Sequence, residues 1–87
     1  MELGRLRIEY RKDDNVIQIY NSPKVCSLVI NDKVVDEYKG TVATHFTLKG
    51  TIEKDGKVDQ IEAKMGAFYM QLFYNGVLVS KKFMAFG

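Results

Sequence analysis

The stretch Leu72-Phe73-Tyr74-Asn75-Gly76-Val77-Leu78-Val79 constrains the fold more than any other part of this chain. Asn and Gly both tolerate positive φ, so the pair suits a type I′ turn, whose twist matches that of the antiparallel strands it joins. The flanking apolar and aromatic residues are types that pack well on a pleated surface. A related segment, Leu28-Val29-Ile30-Asn31-Asp32-Lys33-Val34-Val35, lies 44 positions earlier. One hairpin used twice is the simplest reading, and it describes construction rather than chemistry.

Period-two patterning runs through the rest of the chain. Leu6, Ile8 and Tyr10 alternate with Arg5, Arg7, Glu9 and Arg11, the pattern of a half-buried strand with a charged outer face. Asp13-Asp14-Asn15 supplies turn chemistry, and Val16 to Tyr20 reads as the returning strand. Asn21-Ser22-Pro23 interrupts the ladder, since Pro lacks an N–H and has a fixed φ. Val25 to Ile30 and Lys33 to Lys39 then form a hairpin around Asn31-Asp32.

The second half repeats this plan. Thr41 to Lys49 reads as a strand with Val42, Thr44, Phe46 and Leu48 on one side, Gly50 permits a bulge or bend, and Thr51 to Glu53 continues it. Lys54-Asp55-Gly56-Lys57 is a turn, followed by strands over Val58 to Met65, Ala67 to Tyr74 and Val77 to Phe86. Ile61 to Met65 has some helical propensity, but its short length and nearby glycines favour a strand. Shifting the chain by 44 residues aligns Ile8 with Ile52, Glu9 with Glu53, Ile17 with Ile61, Leu28 with Leu72, Asn31 with Asn75 and Val35 with Val79. The expectation is one all-β domain over residues 1–87, with about eight antiparallel strands in a meander. Such a chain closes as a two-sheet sandwich or a flattened barrel, and the alignment suggests a duplicated four-strand unit.

A two-residue turn at Asn75-Gly76 with regular pairing would set Tyr74 opposite Val77, Leu72 opposite Val79, Met70 opposite Lys81 and Phe68 opposite Phe83. The expected core face is then Phe68, Met70, Leu72, Tyr74, Val77, Val79 and Phe83, interrupted by Lys81. The other face holds Tyr69, Gln71, Phe73, Leu78, Ser80, Lys82 and Met84. That mixed face is too apolar for plain solvent surface. Tyr69, Gln71, Phe73, Leu78, Ser80 and Lys82 are therefore the candidate binding residues, for a protein partner or a second copy. The alternative is that the monomer itself covers this face.

Other chemistries find less support. His45 is the sole histidine, and a lone strand histidine is better read as a surface or edge residue than as a general base. Cys26 sits in an apolar run and reads as a small buried hydrophobe. One His and one Cys do not make a zinc set, and the aspartates of the turns do not follow the calcium-loop pattern, so no metal or cofactor is expected. Asp36 and Glu37 are adjacent on a strand and point to opposite faces, so they form no carboxylate pair. A net charge of +2 with interleaved acids gives weak support to nucleic-acid binding. Tyr69, Phe73 and Lys82 on one face keep single-strand binding as the alternative function.

No apolar run approaches the length of a membrane span, and the N-terminal residues lack the apolar region of a secretion signal. With a single cysteine, a reducing cytoplasmic setting is the expectation.

The segments Phe46-Thr47-Leu48-Lys49-Gly50, Gly66-Ala67-Phe68-Tyr69-Met70-Gln71-Leu72, Tyr74-Asn75-Gly76 and Lys81-Lys82-Phe83-Met84 share a strand–turn rhythm with a known family. The C-terminal half resembles the β-domain of the Fas apoptotic inhibitory molecule. The resemblance covers about half the chain and implies a non-enzymatic all-β interaction domain. It assigns no functional residues, and this chain is shorter than the two-domain family members. The expected function is a non-catalytic binding or self-association module.

Overall fold

All four two-residue hairpin turns have positive φ at both central positions: Asp13-Asp14, Asn31-Asp32, Asp55-Gly56 and Asn75-Gly76. This is the type I′ geometry expected of tight antiparallel hairpins. The computed structural model describes residues 4–22, 24–39, 45–66 and 68–83. The turns connect β1 (Arg5–Lys12) to β2 (Asn15–Asn21), β3 (Val25–Ile30) to β4 (Lys33–Lys39), β5 (Phe46–Lys54) to β6 (Lys57–Met65), and β7 (Tyr69–Tyr74) to β8 (Val77–Phe83). The strands form two four-stranded antiparallel meanders, β1-β2-β3-β4 and β5-β6-β7-β8. Among the described residues there is no helix, and Ile61 to Met65 completes β6.

One core joins the two sheets. Ile8, Ile17, Ile19, Cys26, Leu28 and Ile30 from the first sheet pack with Leu48, Ile52, Ile61, Ala63, Met65, Met70, Leu72 and Tyr74 from the second. Their spacing of two along each strand places them on one face, as the alternation demands. Tyr38 stacks on Phe46 at 4.3 Å between ring centroids, and Tyr10 meets Tyr74 at 6.4 Å, so aromatic pairs bridge the sheets.

The repeat extends from residue identity to individual hydrogen bonds. Asn31 N–H donates to Val16 O, and Val16 N–H donates to Asn31 Oδ1. Asn75 makes the same exchange with Gln60, 44 positions further on. Ser22 N–H donates to Val25 O, and Gly66 N–H donates to Tyr69 O, again at the same offset. The repeat also includes an irregularity, since β4 carries an extra residue at Val35 and β8 one at Val79. These features relate the two four-strand units, which differ in that β1 carries a bulge at Arg7 and β5 carries none.

Several expectations need correction. Gly50 introduces no bulge, because β5 pairs with β6 in unbroken register from Phe46 to Lys54. Its missing Cβ matters between the sheets instead: one built there would lie 2.8 Å from Val35 Cγ2 and 3.0 Å from Ile30 Cδ1. At the same seam, Lys49 N–H donates to Asp36 Oδ2 at 2.9 Å, tying β5 to β4. The regular register expected for β7 and β8 also fails. Tyr74 faces Val77, but beyond the bulge Leu72 faces Ser80, Met70 faces Lys82 and Tyr69 faces Phe83. Phe68, Val77 and Phe83, placed in the core by regular pairing, are 52%, 63% and 73% exposed. Residues 41–44, Ala67 and residues 84–86, included in expected strands, lie outside the described residues.

Candidate functional site

β7 carries Tyr69, Gln71 and Phe73 on its outer side, alternating with the buried Met70, Leu72 and Tyr74. The pairing sets Phe73 opposite Leu78, Gln71 opposite Lys81 and Tyr69 opposite Phe83. Residues directly opposite in an antiparallel pair point to the same face. The outer face is thus Tyr69, Gln71, Phe73, Leu78, Lys81 and Phe83. The structure brings four of the six expected residues together and separates the other two. Ser80 and Lys82 pair with Leu72 and Met70 and so lie on the opposite side. Met84, on the same expected face, lies outside the described residues.

The reason is the extra residue at Val79. A bulge inverts the alternation beyond it, so each later residue changes face. Val79 packs partly buried against the core, as the alternation predicted, while Lys81 and Phe83 turn outward. The trace in the sequence is Lys81 itself, which regular pairing would place opposite the fully buried Met70. The bulge moves that position to Lys82, whose side chain is exposed at the sheet edge.

Tyr69 and Phe73 on this face have close neighbours. A Cβ at Gly66 would clash with the Tyr69 ring, so the absence of a side chain there lets the ring lie against the backbone. The His45 ring lies 6.3 Å from that of Tyr69, in a tilted arrangement. The Lys64 ammonium sits 4.9 Å from the centre of the Phe73 ring, a cation–π contact from the neighbouring strand. Leu78 is 42% exposed and Phe83 is 73% exposed. The result is an aromatic strip with a Gln and Lys pair at its centre and a lysine at its side.

Such a face offers apolar contact, stacking and charge. His45 is exposed, whereas Cys26 is buried, so they belong to different environments. Burial pushes the Cys26 thiol up to about 11, so it stays protonated at neutral pH and is a poor nucleophile. Among the described residues, no group of three or more His, Cys, Asp or Glu side chains is placed to hold a metal ion. Among the same residues, no helix is long and apolar enough to cross a membrane.

Elsewhere, carboxylates serve structure. Asp59 accepts from Asn75 Nδ2 at 3.0 Å and from the Tyr74 hydroxyl, and these bonds hold its carboxyl below the ordinary range. The same bond pushes Tyr74 up to about 12. Glu9 accepts from Gln18 Nε2 at 2.8 Å and from Arg11 Nε at 3.1 Å, which lowers its pKa too. Comparison of the chain with protein-family models, curated proteins and solved structures finds no match to any of them.

Proposed function

We propose that this chain is a non-catalytic binding domain that self-associates through the outer face of β7 and β8. The observation that carries the reading is the row of Tyr69, Phe73, Leu78 and Phe83 on one face, in which Leu78 and Phe83 are exposed and Tyr69 and Phe73 are half-buried. Burying Phe73 and Leu78 contributes on the order of 1.5–3 kcal/mol each. The strand edges argue for a face rather than an edge as the contact. β1, β4 and β8 each carry a bulge, and the fourth edge, β5, donates its Lys49 N–H to Asp36 of β4. Bulged and covered edges resist strand addition. The resemblance to the Fas apoptotic inhibitory molecule β-domain fits the same non-enzymatic reading, and the lone buried thiol suits a cytoplasmic setting.

Sedimentation of the wild type from low micromolar to several hundred micromolar concentration tests this. A dimer is expected in the wild type, and monomers in Phe73→Asp and in the more exposed Leu78→Lys. Wild type that remains monomeric throughout removes the self-association reading.

A second reading is single-strand nucleic-acid binding, favoured by the Lys64–Phe73 contact and by Lys81 beside the stacking surfaces of Tyr69 and Phe83. It requires retention on single-stranded oligonucleotides that weakens as salt rises. No retention at low salt eliminates it.

A further inference from the structure

The start of β1 holds two arginines that the candidate face does not use. Arg5, Arg7, Gly4, Asn21 and Ser22 line a groove of about 480 Å³ at the end of the first sheet. Among the described residues, the lining has two guanidinium groups and no carboxylate. The ion pairs among the described residues join Arg11 to Glu9 and Lys39 to Glu37, and neither involves Arg5 or Arg7.

Three local features build this groove. Arg7 is the extra residue of the β1 bulge, between Leu6 opposite Tyr20 and Ile8 opposite Ile19. A bulge redirects a side chain out of the regular alternation, and such irregularities are common beside binding sites. Gly4 has φ +86°, and a Cβ there would lie 2.7 Å from the Asn21 carbonyl oxygen. Only glycine lets the chain enter β1 this close to the β2 terminus. Arg7 Nε is buried, with no hydrogen-bond partner among the described residues. An unpaired buried donor is destabilising and calls for an acceptor. For a guanidinium, a planar oxyanion edge or a phosphate fits best, because the Nε and Nη donors form a fork.

We propose that the Arg5–Arg7 groove is a binding site for a phosphoryl oxyanion, with Arg7 and Arg5 supplying the two positive charges. Neither arginine lies on the aromatic face, so the site stands or falls separately from the self-association reading. Phosphate reaches such a site either as the free ion or on a nucleic-acid backbone.

The arginine Nε–H resonances of the intact protein report on this directly. Inorganic phosphate, titrated at constant ionic strength, is expected to shift the Arg7 Nε–H signal saturably. Arg7→Gln should weaken binding at least tenfold, as followed through the Gly4 and Ser22 amides. Arg11→Gln, on the same strand but outside the groove, should bind as the wild type does. A parallel titration with a short thymidine oligonucleotide separates the two sources. A stronger response to inorganic phosphate assigns the free ion, and a stronger response to the oligonucleotide assigns a nucleic-acid backbone. Either Arg7 shifts no larger than those of Arg11, or shifts equally produced by chloride, would overturn the proposal.

Discussion

Asn31 and Asn75 do the same work in the two units, but the side chains they hold differ in charge. Asn31 Nδ2 donates to Asn15 Oδ1 at 2.9 Å, whereas Asn75 Nδ2 donates to Asp59 Oδ1 at 3.0 Å. Only the second clamp therefore contains a titrating group. The folded-state pKa of Asp59 is depressed by its bonds to Asn75 and Tyr74. A depressed carboxylate contributes stability above its unfolded pKa of about 3.9, lost as pH falls through the lower folded value. Asp59→Asn reproduces the neutral arrangement of the first unit. The expected outcome, read from urea midpoints between pH 2 and 7, is a flatter acid limb with the fold retained. An unchanged acid limb would show that Asp59 gains nothing from its clamp. Tyr74 has the opposite sign, since its raised pKa of about 12 makes the neutral ring the stabilising form. Its contribution is intact below about pH 10, the ordinary tyrosine value, and is lost as pH rises through 12.

At the scale of elements, the strands and turns were largely legible and the bulges were not. Alternation and φ-tolerant pairs locate all eight strands, because both are local properties of the chain. A bulge is a two-strand property: nothing within Val77-Leu78-Val79 marks which residue is skipped until β7 is beside it. That is why Phe83 was expected inside and is 73% exposed. Gly50 is a parallel case, since a glycine within a strand admits either a bulge or a close approach. The structure selects the close approach, against Val35 and Ile30. Gly50→Ala is accordingly expected to destabilise the protein by about 1–3 kcal/mol through overpacking. Chemical denaturation measures this, and Thr51→Ala, an exposed neighbour on the same strand, is the control. Equal midpoints for the two variants would show that the seam has room for a methyl group.

At the scale of the molecule, neither sheet has a core of its own. Ile17 and Ile61 occupy equivalent places in the two units and both are fully buried in the shared interior. Removing either side chain to alanine should cost about 2–5 kcal/mol. Because each cavity opens in the same core, both variants should still unfold in one transition seen alike by tyrosine fluorescence and far-ultraviolet circular dichroism. Separate transitions for the two probes would mean that the units fold independently.

The sequence by itself determined the all-β class, the approximate positions of the strands and turns, the type I′ turn at Asn75-Gly76, and the 44-residue echo between the halves. The class, strands and turns follow from side-chain periodicity and backbone φ preference, which act within a few residues, and the echo from identities at a fixed offset. Tertiary structure alone decided the register beyond Val79, and with it the membership of the outer face: Lys81 and Phe83 in, Ser80 and Lys82 out. It alone also gathered Gly4, Arg5 and Arg7 against Asn21 and Ser22. Those outcomes depend on which backbones meet across a sheet or a sandwich, and no local preference encodes that meeting.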